Sequence, residues 1–274
     1  MTKIRSVLSH GERLRELAIR FKLPTVAAEM ERLMVAAGHS DALETLCEVF
    51  EMEGDSRQER RTARLRRASA LPPGKTMDTL ELTRFPSRLV HQFKDLCRGE
   101  FAVAGDNVLI FGLPGTGKSH VAAAIGHKLV DAGRSVYFTS TLRLVQDLLR
   151  AKRDLALHRL LRKLDCIDVL MLDDIAYVQQ AADEVEVLFT LLAERYERRS
   201  LVVTSNLVFS QWDQIFKNPM TTAAAVDRMV HHSTVLDFHD IPSYRAEEAA
   251  RRKRKGAAPT DATPSTVPEA TPQA

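Results

Sequence analysis

The sequence predicts an α/β fold with a parallel sheet, preceded by a small all-helical N-terminal domain, and three observations carry that prediction. From about residue 76 to 250, short apolar or β-branched segments alternate with amphipathic helical ones. A complete G-x-x-x-x-G-K-S run, Gly112 to Ser119, lies between an apolar strand, DNVLIF, and a helical run, HVAAAIGHKLV. Before about residue 70 there is no strand pattern, only apolar positions recurring every three or four residues.

Composition sets the outer bounds. The 274 residues are 45% hydrophobic and 27% charged, as in ordinary globular proteins, which excludes collagenous, purely coiled-coil and wholly disordered chains. No apolar run approaches the roughly 20 residues that span a bilayer. The basic residues of MTKIRSVLSHGERLRE are followed by no apolar core, so no signal peptide is expected. Cys47, Cys97 and Cys166 are far apart, which suits neither a disulfide framework nor a zinc site. A cytoplasmic location is the expectation. The net charge of +3 is slight, but it is concentrated in two stretches. Arg57, Arg60, Arg61, Arg64, Arg66 and Arg67 form one, and Arg251 to Lys255 the other.

In residues 1–70, three groups have helical spacing: Leu14, Leu17, Ala18 and Phe21; Ala27, Met30, Leu33 and Met34; Leu43, Leu46, Cys47 and Phe50. Pro24 and Gly38 punctuate them, and Ser40 or Asp41 can cap the third helix. Gly54-Asp55-Ser56 is expected to open a fourth, strongly basic helix, which Pro72-Pro73-Gly74 ends with a linker. Residues 71–255 form the second unit. Its predicted strands are Val108–Phe111, Ser135–Phe138, Ile167–Leu172, Leu201–Thr204 and Ser233–Leu236. Residues 256–274, rich in Ala, Pro and Thr, bury too little to offset the entropy of ordering and are expected to be disordered.

The glycine-rich run is a phosphate loop. Gly112, Pro114, Gly115, Thr116, Gly117, Lys118, Ser119 and His120 form the expected cradle for a nucleotide. Its glycines let backbone N–H groups approach phosphate oxygens, and the helix behind adds its positive end. Lys118 is expected to reach the β- and γ-phosphates of ATP, and the Ser119 hydroxyl to ligate Mg²⁺. Val169-Leu-Met-Leu-Asp173-Asp174 is an apolar strand ending in two acids. Asp173 is expected to hold Mg²⁺ and Asp174 to orient or deprotonate the hydrolytic water; alternatively, Asp174 caps the following turn and Asp173 acts alone. Asn206, ending the strand SLVVTSN, can hydrogen-bond the water or the γ-phosphate, although Asn after a strand is also a common turn residue.

These three elements, in this order, resemble the AAA+ ATPases. Downstream, LFTLLAERYERRSLVVTSNLVFSQWDQIFKNP, TTAAAVDRMVHHS and PSYRAEEA are similar to the IstB-like transposition helper ATPases, relatives of the DnaC helicase loaders. The resemblance implies an AAA+ P-loop NTPase domain and an ATPase activity. It implies an arginine finger at Arg228, which reaches a γ-phosphate held by a neighbouring subunit; an Asp227/Arg228 surface pair or an arginine bound to a helix end is the plainer reading. It also implies a second sensor at Arg245 and an adenine resting near Phe85-Pro86, where Phe85 is equally a packing residue. Asp174 departs from the family's common Asp-Glu pair. Its carboxylate is set back by one methylene, so slow basal hydrolysis is expected.

On a helix, Arg57, Arg60, Arg61 and Arg64 share one face, which Arg66 and Arg67 widen; such a stripe can neutralise phosphates without reading sequence. The alternative is a solvated face with Glu59 as its counter-ion. The resemblance implies residues 1–70 as the DNA- or partner-binding domain, duplex DNA and a transposase as partners, and a homo-oligomer, ring or helical. No membrane partner is expected. A DnaC-like helicase loader and a non-enzymatic DNA scaffold are the rival readings. His231, His232 and His239 are expected to be structural or interface residues rather than metal ligands. Glu184 and Glu186 are expected on a solvated helix face.

Overall fold

The computed structural model describes residues 9–175, 181–212 and 219–256. The expected disordered segment from residue 257 onward lies outside them, as do the side chains of residues 252–255 in the second basic stretch.

Helices α1 (His10–Arg20), α2 (Pro24–Ala36) and α3 (Ala42–Ala68) form the N-terminal unit. A capping box starts α1: the Ser9 hydroxyl accepts from Glu12 N–H, and the Glu12 carboxylate accepts from Ser9 N–H. Pro24 opens α2 at its first turn, where its missing N–H costs nothing. Gly38, with φ 75°, follows the end of that helix. Asp41 stands at the start of α3 but makes no side-chain cap bond. The core here is thin: Leu14, Ala18, Leu43 and Cys47 are buried, and α2 buries no side chain fully.

The expected break at Gly54 does not occur. The third and fourth predicted helices are one helix of 27 residues, about 40 Å long at 1.5 Å per residue. Gly54 is buried against Phe21, whose ring would lie 3.4 Å from an added Cβ, so the glycine serves close helix approach, not termination. The far half of α3 leans on the second unit. Arg66 pairs with Asp131, Leu65 packs on the main core, and Ser69 O accepts from Phe138 N–H at 2.8 Å.

Among the described residues the remaining α-helices are α4 (Ser87–Leu96), α5 (Glu100–Ala104), α6 (Lys118–Asp131), α7 (Thr141–Arg153), α8 (Leu157–Asp165), α9 (Ala182–Arg195), α10 (Pro219–Val230) and α11 (Tyr244–Gly256). They surround β1 (Asn107–Phe111), β2 (Val136–Ser140), β3 (Val169–Asp173), β4 (Ser200–Ser205) and β5 (Ser233–Asp237). All five predicted strands are present, in the order β2-β3-β4-β1-β5 with every pairing parallel. The central strands are buried on both faces, as a parallel sheet requires. In β1, Val108 and Ile110 enter the core shared with α4 and α6, whereas Leu109 and Phe111 enter the core shared with α7, α9 and α10. The same alternation divides Val169 and Met171 from Leu170 and Leu172 in β3.

Strand order decides where chemistry gathers. β4 lies between β1 and β3, so the segments after β1, β4 and β3 come together at one carboxyl edge in that order. Those segments hold the phosphate loop, Asn206 and the Asp173-Asp174 pair.

Candidate nucleotide site

The phosphate loop turns directly from β1 into α6. Gly115 has φ 86° and Gly117 φ 100°, left-handed values that suit glycine. At Gly115 an added Cβ would also collide with the Ser243 side chain. Thr116 is buried, and its hydroxyl donates to Leu113 O at 2.9 Å, closing the turn. A cavity of about 270 Å³ opens above the loop. Pro114, Gly115, Gly117, Lys118, Ser119, His120, Asp174, Asn206 and Arg245, all sequence candidates, line it together with Lys75, Thr204 and Tyr244.

Lys118 is the hub. Its Nζ donates to Gly112 O at 2.7 Å, Leu113 O at 2.9 Å and Asn206 Oδ1 at 2.6 Å. Burial pulls its ammonium below the ordinary lysine value; the carboxylates of Asp174 and Asp173 oppose this, and the nearby Arg245 reinforces it. Asn206 Nδ2 in turn donates to both Asp174 carboxylate oxygens, at 3.1 and 3.3 Å. One asparagine therefore joins the cation of the phosphate loop to the acid at the end of β3.

The second acid is held unusually. Asp174 has φ 59°, a left-handed conformation that costs a non-glycine residue on the order of 1–3 kcal/mol. Thr204 holds it there: its hydroxyl accepts from Asp174 N–H at 2.8 Å and donates to Asp173 Oδ1 at 2.7 Å. Thr204 thus fixes both acids, a role the sequence conceals because threonine inside a strand reads as an ordinary β-branched residue. Lys75 and Tyr244, also missed, reach the cavity from the linker and from the start of α11.

His120 secures the linker to the loop. Its Nε2 lies 3.0 Å from the Thr79 hydroxyl and 3.1 Å from Thr76 O, and burial lowers its pKa from the ordinary imidazole value. Phe85 packs edge-on against Phe93, with centroids 5.3 Å apart, and beside Phe238 at 5.4 Å. It is buried at the core's margin as a packing residue, and its ring comes close to Gly117.

Arg228 lies elsewhere. It sits in α10 near the start of β1, beside Asp106, Tyr196, Glu197 and His232, at the edge of the sheet opposite the phosphate loop. Its Nη1 donates to Ala224 O at 3.0 Å, and its guanidinium lies 5.0 Å from the Phe189 ring centroid. His231 and His232 are exposed near Glu197, a proximity invisible in the sequence, with one potential ligand atom of each residue within 4.8 Å of the others. His231 Nδ1 lies 3.0 Å from the Tyr196 hydroxyl, whereas His239 bonds Asp237 instead. Glu186 pairs with Lys152, and Glu184 is half-buried, so the solvated face expected for that pair holds only in part.

The arginine stripe is partly sorted by the fold. Arg57, Arg60, Arg61, Arg64 and Arg67 line one shallow surface groove on α3. Glu53, not Glu59, is the counter-ion of Arg57 and Arg60, at 2.5 and 3.4 Å. Arg66 turns toward α6 to meet Asp131, and Arg61 also donates to Gly133 O at 3.3 Å.

Among the described residues no helix is long and apolar enough to cross a membrane. The family model of IstB-like ATP binding proteins matches residues 17–253. A Sinorhizobium fredii protein named as an insertion sequence ATP-binding protein is 41% identical over 236 residues, covering 85% of this chain and 79% of its own. The ATP-binding protein of insertion sequence IS21 from Pseudomonas aeruginosa is 33% identical over 253 residues, 92% of this chain and 94% of its own. In fold, the chain is similar to AMPPCP-bound DnaA from Aquifex aeolicus, with a TM-score of 0.51 at 15% identity over 68% of this chain and 57% of that one. The chain is thus an AAA+ P-loop ATPase and belongs to the IstB-like ATP-binding protein family, and the cradle on β1, the acids ending β3 and the asparagine between them form its candidate nucleotide site.

Proposed function

We propose that this ATPase assembles on duplex target DNA as a ring or helical homo-oligomer and delivers that DNA to a partner transposase during insertion-sequence transposition. The observation that carries the reading is the Lys118–Asn206–Asp174 relay together with an N-terminal unit bearing an arginine groove. The relay gives the molecule a nucleotide-sensitive centre, and the groove gives it a sequence-indifferent grip on phosphates. The family's association with insertion sequences supports the transposase partner and a cytoplasmic setting.

The donor set suits Mg²⁺, a hard cation that takes oxygen ligands. The Ser119 hydroxyl on the cavity wall and the Asp173 carboxylate would hold it, and when bound it neutralises phosphate charge. The chain's own groups do the rest. Lys118 gives its ammonium to the terminal phosphates, releasing Asn206 to the reacting end. Asp174 accepts the proton of the attacking water, oriented by Asn206. Arg245 faces the phosphates from α11 of the same chain. Arg228, on the opposite edge, completes the site of a neighbouring protomer, where its planar cation meets the charge of the transferring phosphoryl group.

Turnover measured with and without duplex DNA tests this reading. Basal hydrolysis is slow and rises with DNA. Lys118→Ala and Arg228→Ala are each inactive alone, yet mixing them restores turnover, because a Lys118→Ala protomer lends its Arg228 to a neighbour with an intact loop. Failure of the mixture to recover activity contradicts the finger in trans. Fast hydrolysis without DNA contradicts the switch.

A further inference from the structure

The C-terminal helix α11 is held over the phosphate loop from two sides. On one side, Tyr244 N–H donates to Gly115 O at 2.9 Å, and Ser243 fills the space a Cβ on Gly115 would need. On the other side stands Arg84, the last residue of a short 3-10 turn, Leu82–Arg84. Its Nη1 donates to Glu247 Oε2 at 2.7 Å, its Nη2 to Pro242 O at 3.2 Å, and its guanidinium lies 5.2 Å from the Tyr244 ring centroid. One side chain therefore grips three points at the start of α11, Pro242 just before the helix and Tyr244 and Glu247 in its first turn, more than 150 positions away in the chain. The next residue, Phe85, is buried with its ring near Gly117. The segment that grips α11 is thus itself seated on the phosphate loop.

We propose that Arg84 is a positioning residue for ATP: by clamping Glu247, Pro242 and Tyr244 it fixes α11 so that Arg245 faces the phosphates. The proposal rests on ATP occupying the cavity described above. Helix geometry supplies the link, because residues two apart point to nearly opposite sides. Holding Glu247 on the outer side turns Arg245 toward the cavity, which it lines. An ordinary surface ion pair would contribute little. Here the Arg84 side chain is only 20% exposed, and its planar fork is shared between a carboxylate and a carbonyl, a geometry that lysine cannot reproduce.

The test uses the full chain and compares wild type with Arg84→Met, Glu247→Gln and the exchanged pair Arg84→Glu with Glu247→Arg. Affinity for fluorescent ATP and ADP analogues, ATP turnover and the thermal midpoint without nucleotide are measured for each. Loss of the charge-assisted bond is expected to weaken ATP binding about tenfold and ADP binding less than twofold, and the exchanged pair, which rebuilds the ion pair but not the Pro242 bond, is expected to recover part of the ATP affinity. The midpoint of Glu247→Gln, a near-isosteric change at a half-buried side chain, stays near that of wild type; if Arg84→Met does not fold, that variant carries the test. Unchanged ATP affinity in Glu247→Gln overturns the proposal, as does an equal loss of ATP and ADP binding accompanied by a lower midpoint. A wild-type chain that binds neither analogue overturns the nucleotide reading of the cavity itself.

Discussion

Thr204 shows how much the site depends on a residue with no reactive group of its own. Its hydroxyl accepts from Asp174 N–H and donates to Asp173, holding Asp174 in a left-handed conformation. Thr204→Val keeps the shape and the strand but removes both bonds. The account predicts a fall in kcat of about tenfold or more with KM for ATP nearly unchanged, since misplacing a catalytic group by about an ångström has effects of that order. Steady-state kinetics check it, and a wild-type kcat contradicts the role. Lys118, Ser119, Asp173, Asp174 and Asn206 were legible because their chemistry is bound to a fixed local pattern. Thr204, Lys75 and Tyr244 were not, because each reaches the cavity only through the long-range pairing of the chain.

At the scale of elements, short apolar or β-branched runs predicted every strand, most plainly in β1, β3 and β4, whose burial on both faces leaves a continuous apolar signal. It misplaced the helix break at Gly54, where the glycine answers to Phe21 from another helix. The entry ends of β2, β3 and β4 are tied by polar groups that no periodicity announces. Asp168 accepts from Ser135 N–H at 2.9 Å and Ser135 Oγ at 2.8 Å, and pairs with Arg199 at 3.0 Å. Arg195, buried, donates to Leu164 O, Ile167 O and Ser200 O; burial lowers its pKa to about 10, which leaves it charged at neutral pH. Burial by itself would raise the Asp168 carboxyl, but the Ser135 bonds and the charges of Arg199 and Arg134 bring it below its ordinary value of 3.8. A carboxyl lowered in the folded state contributes stability above its unfolded value and loses that contribution as pH falls through the lower folded value. Asp168→Asn is therefore expected to lower stability by about 1–3 kcal/mol near neutral pH, with the difference from wild type shrinking below about pH 4. Thermal unfolding across that range measures it; a difference independent of pH contradicts the assignment.

At the scale of the molecule, the parts stand in an order that suits a switch. The cavity above the phosphate loop lies at the carboxyl edge of the sheet, Arg228 at the other edge, and the arginine groove on a helix whose far end rests against β2 and α6. His120 and His127 both hold the intervening linker, with His127 Nε2 lying 3.0 Å from Pro72 O. Much of this arrangement was legible as separate motifs, whereas the distance between Arg228 and its own phosphate loop required the strand order. Neutralising Arg57, Arg60, Arg64 and Arg67 together is expected to weaken duplex binding uniformly across sequences and to flatten its salt dependence, with folding intact. Unaltered affinity and salt slope return the groove to a solvated helix face.

The most direct measurement is binding of the full chain to long duplex and single-stranded DNA with ATP, ADP or no nucleotide, with Lys118→Ala as control. The account predicts cooperative, sequence-indifferent binding to duplex that requires ATP and is lost in Lys118→Ala. Preference for single strands, or duplex binding indifferent to nucleotide, contradicts it.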